Sequence, residues 1–387
     1  MKTIAVIFGG RSTEHDVSIV TAIASIIKPL KITKNYHVLP VYITKKGKWY
    51  ADPDLDDIRL YSSGRIEQWL HKNKSASLRV GGDLGIGISG KFGTKIINID
   101  LVFPAMHGTH GEDGELMGLL EMAGVAYVGC GPAASAVAMD KVLSKQVTEA
   151  NGITSTPWIW FPRDEIDHSI DDAIDRCEHL AFPIFVKPAH LGSSIGITRA
   201  TNLVELRNGL EVAAHYDTKV IVEQGVQNLI EVTLPIIGNA DLRPALLEQP
   251  INNEEDFFAF DTKYMHGGKK GGKKGGKGTA GAQGYSKIPA ELPKKLYDEA
   301  ISLGLNAYRA VGCQGIARID MLVDSKLEKV YFNEINPLPG SLYSHNWRQA
   351  GLSGVDLVEE LVRLGLEAHQ QKSQTDTIFQ TNFLKQF

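Results

Sequence analysis

Cysteine is scarce in this sequence of 387 residues. Cys130, Cys177 and Cys313 are an odd number with no CxxC spacing, which fits neither a disulfide framework nor a zinc site. All three are expected as small core residues in a reducing compartment. Long apolar runs are also missing. No stretch reaches the roughly 18 residues that cross a bilayer, and the apolar run at residues 4–8 is too short for a signal-peptide core, so a soluble, cytoplasmic chain without a membrane partner is expected. Nor is there an excess of one charge. Lys and Arg number 41 against 45 Asp and Glu, a net −4, so no global field draws in nucleic acid and any anionic ligand must be held locally. What is present is globular: 43% hydrophobic and 22% charged residues, at a length that suggests two or three domains.

The order of elements indicates an α/β protein that opens with a doubly wound parallel-sheet domain. Residues 3–8 read as a β-branched strand that runs into Gly9 and Gly10, and residues 17–27 follow with an amphipathic helical pattern. Residues 37–43 and 96–103 read as further strands of the same sheet, and 115–123 as a helix. The polar, Gly-rich residues 44–95 between them read as an insertion with hairpin-like runs. Within it, Gly85, Gly87 and Gly90 fit GxGxxG, but no helix pattern follows, so the segment is read as a turn. A second segment holds a helix over 133–151, and two strands joined by a small-residue loop within 181–197. A third opens at Val220, continues with a helix over 293–311 and a strand pair around Ile319 and Tyr331, and closes with a helix over 355–367. The expected division is 1–129, 130–219 and 220–370, with a loose tail over 371–387. Residues 267–278, GGKKGGKKGGKG, are of low complexity and cannot pack a core.

Four clusters carry chemistry. Arg318 and Asp320 lie two apart on one expected strand, Glu334 and Asn336 two apart on the next, so each pair shares a face. Two carboxylates and an amide are hard oxygen ligands suited to Mg²⁺ against a polyphosphate, and the guanidinium can meet an anion bidentately. Lys187 precedes Gly192, Ser193, Ser194 and Gly196, which is either a phosphate cradle or a plain turn. His107, His110, Glu112 and Asp113 follow a strand. A metal site is set aside there, because the acids suit helix capping and loop fixing better. Glu14, after the first strand, suits a substrate ammonium or a helix cap equally.

In this order, with GGRSTEHDVS, HGTHGEDGELMG, MDKVLSK, VKPAHLGSSIG, and ARID followed by NEINPLPG, the chain resembles the D-alanine–D-alanine ligase family of the ATP-grasp superfamily along nearly its whole length. The resemblance implies a three-domain fold with ATP between two antiparallel sheets, D-alanine as substrate, and a homodimer. It implies that Lys141 and Lys187 contact ATP phosphates, Glu223 the adenine amino group and Glu231 the ribose. Asp320, Glu334 and Asn336 would hold two Mg²⁺ or Mn²⁺ ions. Glu14 would bind the first substrate's ammonium and form a hydrogen-bonded set with Ser193 and Tyr264. Arg318 and the Gly340 N–H would stabilise an oxyanion, Ser194 and Lys263 would face the transferred phosphate, and His107 and His345 would face substrate. Tyr264 favours an amine over a hydroxy-acid acceptor. Three positions depart from the family pattern: the Gly/Lys stretch follows Tyr264, His345 and Asn346 replace a serine and a leucine, and Gln224 replaces a lysine.

Overall fold

The structure is a computed structural model that describes residues 1–90, 93–251, 286–376 and 381–387, and the elements below are those of the described residues. The first sheet has the order β3-β2-β1-β7-β8, with β1 (Lys2–Gly9), β2 (Tyr36–Ile43), β7 (Leu101–Pro104) and β8 (Ala126–Tyr127) parallel and the short β3 (Trp49–Ala51) antiparallel at one edge. Alternation along β1 explains why this sheet is covered on both faces. Ile4, Val6 and Phe8 enter one core with Ile19, Ile23 and Ile26, while Ala5 and Ile7 enter another with Leu116, Met117 and Leu120. The doubly wound arrangement follows from that two-sided burial.

Two strand expectations change here. Residues 96–103 are not one strand: β6 (Gly93–Ile99) pairs antiparallel with β5 (Leu84–Gly90), which pairs with β4 (Ser77–Val80), in a separate sheet, and only β7 joins the parallel one. Asp100 makes the crossing, its N–H donating to Thr3 O (3.0 Å) and its carboxylate accepting from the Thr3 N–H (2.7 Å). The glycine-rich run read as a turn is β5 itself. A Cβ at Gly85 would come within 2.9 Å of Ile96 and one at Gly87 within 2.5 Å of Ser77, so these glycines permit close cross-strand packing.

The second sheet has the order β11-β10-β12-β9, all antiparallel, from β9 (Trp158–Pro162), β10 (Ile184–Pro188), β11 (Thr198–Ala200) and β12 (Lys219–Gln224). Val220, expected to open the third segment, is therefore in this sheet, because β12 is hydrogen-bonded between β10 and β9. The third sheet has the order β14-β13-β17-β18, from β13 (Leu229–Ile237), β14 (Arg243–Pro244), β17 (Ile316–Asp324) and β18 (Lys329–Asn336). A small pair, β15 (Gln249–Pro250) with β16 (Ser286–Lys287), lies beside it.

The helix expected over 133–151 is two, Pro132–Met139 and Lys141–Ala150, because Asp140 leaves helical geometry and caps the second, accepting from Val142 N (2.9 Å) and Leu143 N (3.1 Å). Ala134 and Ala138 share a core with the helix Lys294–Val311 and the third sheet, and buried Cys130 and Cys313 belong to it. The last helix, Gly354–Ser373, runs beyond its expected end and lays Leu357, Val358, Leu361 and Leu364 against the first sheet. Among the described residues no helix is long and apolar enough to cross a membrane.

Candidate active site

The β17 and β18 register places Arg318 opposite Asn336 and Asp320 opposite Glu334, so the four polar side chains form one patch. Ala317, Ile319 and Met321 alternate with them into the core, which fixes which way the polar residues point. Arg318 donates to both oxygens of Asp320, at 2.8 Å through Nε and 2.5 Å through Nη2. Asp320 also accepts from Thr233 Oγ1 on β13 (2.6 Å) and from Asn336 Nδ2 (3.1 Å). The guanidinium lies over the Tyr343 ring, with Arg318 Cζ 5.2 Å from the ring centroid.

The second sheet and the helix after Asp140 bring cations toward these acids. Lys141 Nζ donates to Leu191 O (2.8 Å) and lies 3.5 Å from Glu334 Oε2. Lys187 on β10 pairs with Glu223 on β12, and Lys145 reaches the other oxygen of Glu223 at 2.7 Å. Glu223 is 4% exposed. Burial alone would raise its pKa, but the two ammonium groups outweigh it and lower the carboxyl to about 2. Half-buried Glu231, on β13, adds its negative field at Lys187.

The loop after β10 and the start of the first domain close the third side. Ser193 and Ser194 both adopt left-handed backbone, φ +55° and +60°, an uncommon conformation for serine that turns the loop sharply. Ser193 Oγ donates to the Glu14 carboxylate, joining residues 179 apart in sequence. Glu14 is buried, and that burial, reinforced by neighbouring Glu112, raises its pKa. His107 Nε2 lies 2.9 Å from Thr21 Oγ1, which also accepts the Ser341 N–H (3.0 Å), so this pair ties the first domain to the turn after β18. Burial would lower the His107 pKa, but Glu112 and Glu14 outweigh it and raise it. The rest of that loop uses its acids internally: Glu112 accepts from Gly108 N (2.7 Å), Asp113 from His110 N (2.6 Å) and Glu115 N (3.2 Å), and His110 pairs with Glu115.

Gly340 opens the turn Gly340–Tyr343, in which Ser341, Leu342 and Tyr343 are all left-handed. Beyond it, His345 Nε2 is 2.9 Å from Glu248 Oε2 and its ring lies 4.8 Å from that of Tyr343. Asn346 is fully buried and spends its amide on Leu246 O (2.9 Å), Leu246 N (3.1 Å) and Glu248 (3.0 Å), so it braces the strand edge. Lys263, Tyr264 and the stretch 267–278 lie outside the described residues. Sequence reasoning missed Thr233, Tyr343, Glu248 and Lys145 as neighbours of the site. Thr233 and Lys145 had a signal, being two residues from Glu231 on a strand and four from Lys141 on a helix. Tyr343 and Glu248 had none.

Asp320, Glu334 and the Asn336 amide form a hard-oxygen set, and both carboxylates already draw a cationic side chain to them, so the patch fits a divalent metal. Two antiparallel sheets with lysines on one and this acidic patch on the other define the ATP-grasp class of fold. The model of the D-ala D-ala ligase N-terminus matches residues 3–130, and that of the C-terminus residues 147–363. D-alanine–D-alanine ligases from Acetivibrio thermocellus and Chlorobium phaeovibrioides are each 36% identical, covering 95% of this chain and 96% and 98% of their own. Among solved structures, the D-alanine–D-alanine ligase from Coxiella burnetii aligns with a TM-score of 0.76 at 26% identity, over 97% of this chain and 98% of that one. The VanG D-Ala:D-Ser ligase from Enterococcus faecalis aligns with a TM-score of 0.74 at 30% identity, over 94% of this chain and 99% of that one. The chain belongs to the D-alanine–D-alanine ligase family.

Proposed function

We propose that this chain joins two D-alanines to D-alanyl-D-alanine, converting ATP to ADP and phosphate and supplying peptidoglycan precursor synthesis. The observation that carries the reading is the convergence of three units on one cleft: Glu14 with Ser193, Lys141 and Lys187, and the Arg318, Asp320, Glu334 and Asn336 patch. Near full-length similarity to enzymes of that name supports it. A carboxylate is a poor electrophile, so its oxygen attacks the γ-phosphorus of ATP, the bond to the β-phosphate oxygen breaks, and an acyl phosphate forms as ADP leaves. The free amine of the second D-alanine attacks that carbonyl, the tetrahedral oxyanion collapses, and phosphate departs with the carbon–oxygen bond electrons while the amine proton is lost.

The residue roles are the ones that membership of the family implies. Glu14, oriented by Ser193 and in the family set by Tyr264, holds the first ammonium. Lys141, Lys187, Ser194 and Lys263 take phosphate oxygens, Glu223 the adenine amino group and Glu231 the ribose. Arg318 and the Gly340 N–H meet the oxyanion, where fixed donors lower the barrier most. Asp320, Glu334 and Asn336 would hold two Mg²⁺ or Mn²⁺ ions, which neutralise phosphoryl charge when bound. His107 backs the first-substrate side and His345 the second. The same reading takes the chain as cytoplasmic and homodimeric, with units 1–129, from 130 to the end of β12, and onward to 370.

A second reading, a ligase making a different dipeptide, is favoured by one observation. His345, held by buried Glu248, puts an imidazole against the same Tyr343 ring that Arg318 lies over. Phosphate release from ATP and Mg²⁺ with each single D- and L-amino acid and with pairs, products weighed by mass spectrometry, separates the two. Release with D-alanine alone and a dialanine product is expected. Activity only with a mixed pair would move specificity to the His345 pocket, and no activity with any pair would overturn both readings.

A further inference from the structure

We infer that His190 is a positioning residue for nucleotide binding, clamping the phosphate-facing loop to the helix that begins at Lys141; the inference rests on the ATP-binding part of the reading above. The loop leaves β10 with Ala189, whose N–H donates to Lys219 O (3.0 Å) and whose carbonyl accepts the Lys141 N–H (3.1 Å). At the next residue the His190 N–H donates to Asp217 Oδ2 (2.8 Å). The ring then spans two carboxylates, Nδ1 lying 2.9 Å from Asp217 Oδ1 and Nε2 3.2 Å from Asp140 Oδ2. Asp140 is 3% exposed and Asp217 9%. Lys219 pairs with the same Asp140 oxygen, and Arg163 Nε holds the Asp217 carbonyl (3.0 Å). Among the described residues, these are the charged groups placed around the ring.

One imidazole therefore ties three elements, and each carries a residue assigned to ATP. Asp140 caps the helix that opens with Lys141, Asp217 precedes the strand of Glu223, and the loop itself continues to Ser193 and Ser194. Lys141 Nζ donates to Leu191 O (2.8 Å), one residue past the clamp, so a displaced loop would also release that ammonium. The arrangement requires a doubly donating ring, since a neutral imidazole has one N–H and can serve only one of the two carboxylates. Asp140 and Asp217 provide for this, raising the His190 pKa to about 9 against the opposing effect of partial burial.

The test is calorimetric binding of a non-hydrolysable ATP analogue with Mg²⁺ to the full chain and to His190→Ala and His190→Gln, in a pH series crossing about 9. Wild-type affinity is expected to fall as pH rises through that value. His190→Ala should bind about tenfold more weakly below it, the size of one lost charged hydrogen bond, and show no such fall. His190→Gln, whose amide restores one arm without titrating, should lie between them and also stay flat. In steady-state ligation the loss should appear in KM for ATP with kcat little changed, whereas general misfolding would lower kcat as well. Wild-type-like affinity in His190→Ala, or an identical alkaline fall in all three proteins, would overturn the clamp and leave the ligase reading intact. His190-dependent binding without ligation of D-alanine would uphold the clamp and overturn the ligase reading. A wild-type chain that binds no nucleotide would overturn both.

Discussion

Arg318 holds both oxygens of Asp320 in parallel, while Thr233 and Asn336 hold the same carboxylate from the sides. Removing the guanidinium thus leaves Asp320 hydrogen-bonded and in place, and the loss falls on chemistry. Arg318→Ala is expected to lower turnover by about 10²–10³, the range for a lost oxyanion donor. Phosphate-release rates at saturating substrates check it, and near-normal turnover would remove Arg318 from the mechanism. The arginine and its three polar neighbours were legible in the sequence because strand alternation is local: two residues apart means one face. Glu248 was not, since its contact with His345 spans 97 positions and comes from how a strand edge meets a helix after folding. Glu14 stood between cap and ligand on spacing alone. Glu14 stands at the N-cap position of the helix His15–Val20, but its carboxylate makes no cap bond and instead accepts from Ser193, which leaves it turned toward the site.

Elements were read well where periodicity was unbroken and poorly where the question was which neighbour they join. The helix Glu115–Ala123 has its expected bounds. Residues 96–103 look like one strand because Asn98 and Asp100 alternate with apolar neighbours, and nothing in an alternating pattern says that the chain changes sheets at Asp100. The last helix was cut short because its exposed end, from His369 onward, is polar and loses the apolar stripe while remaining helical. That helix carries a contrast that can be measured. A Cβ at Gly365 would sit 2.6 Å from the Tyr127 carbonyl oxygen of β8, whereas one at Gly354 would meet nothing within 4 Å. Gly365→Ala should therefore destabilise the chain by about 1–3 kcal/mol, as overpacking does. Gly354→Ala should stabilise it by about 0.5 kcal/mol through reduced backbone freedom. Urea melts of the two variants give the comparison, and equal midpoints would refute it.

At the scale of the molecule, its buried ion pairs set a pH window. The Glu223 carboxyl falls from an ordinary 4.5 to about 2, so its contribution is complete above the ordinary value and is lost as pH drops toward about 2. His190 rises from 6.5 to about 9, so its contribution is complete below 6.5 and is lost as pH climbs toward about 9. Between about 4.5 and 6.5 both are intact, and calorimetric melting should show a plateau there with a decline on each side. The alkaline limb should be the shallower, since His190 is half exposed and solvent screens it. His190→Gln should shrink that limb, leaving the part that the raised His107 contributes, and keep the acid one, and an unchanged alkaline limb would count against the assignment. The same pairs have a consequence for how the cleft fills. Arg318 rests on Asp320, Lys141 near Glu334, and Lys187 on Glu223, so these cations already have counter-charges of their own. A lone anion entering must pull a cation from its carboxylate and strand that acid, and a lone metal ion must strand an arginine or lysine in the same way. Only the two together exchange the Arg318–Asp320 and Lys141–Glu334 pairs for new ones, while Glu223 keeps Lys145 when Lys187 is drawn away. On the proposed function, the cleft would thus be poorly attractive to stray phosphate or free metal and responsive to a metal–polyphosphate complex, a selectivity that comes from internal neutrality rather than from shape.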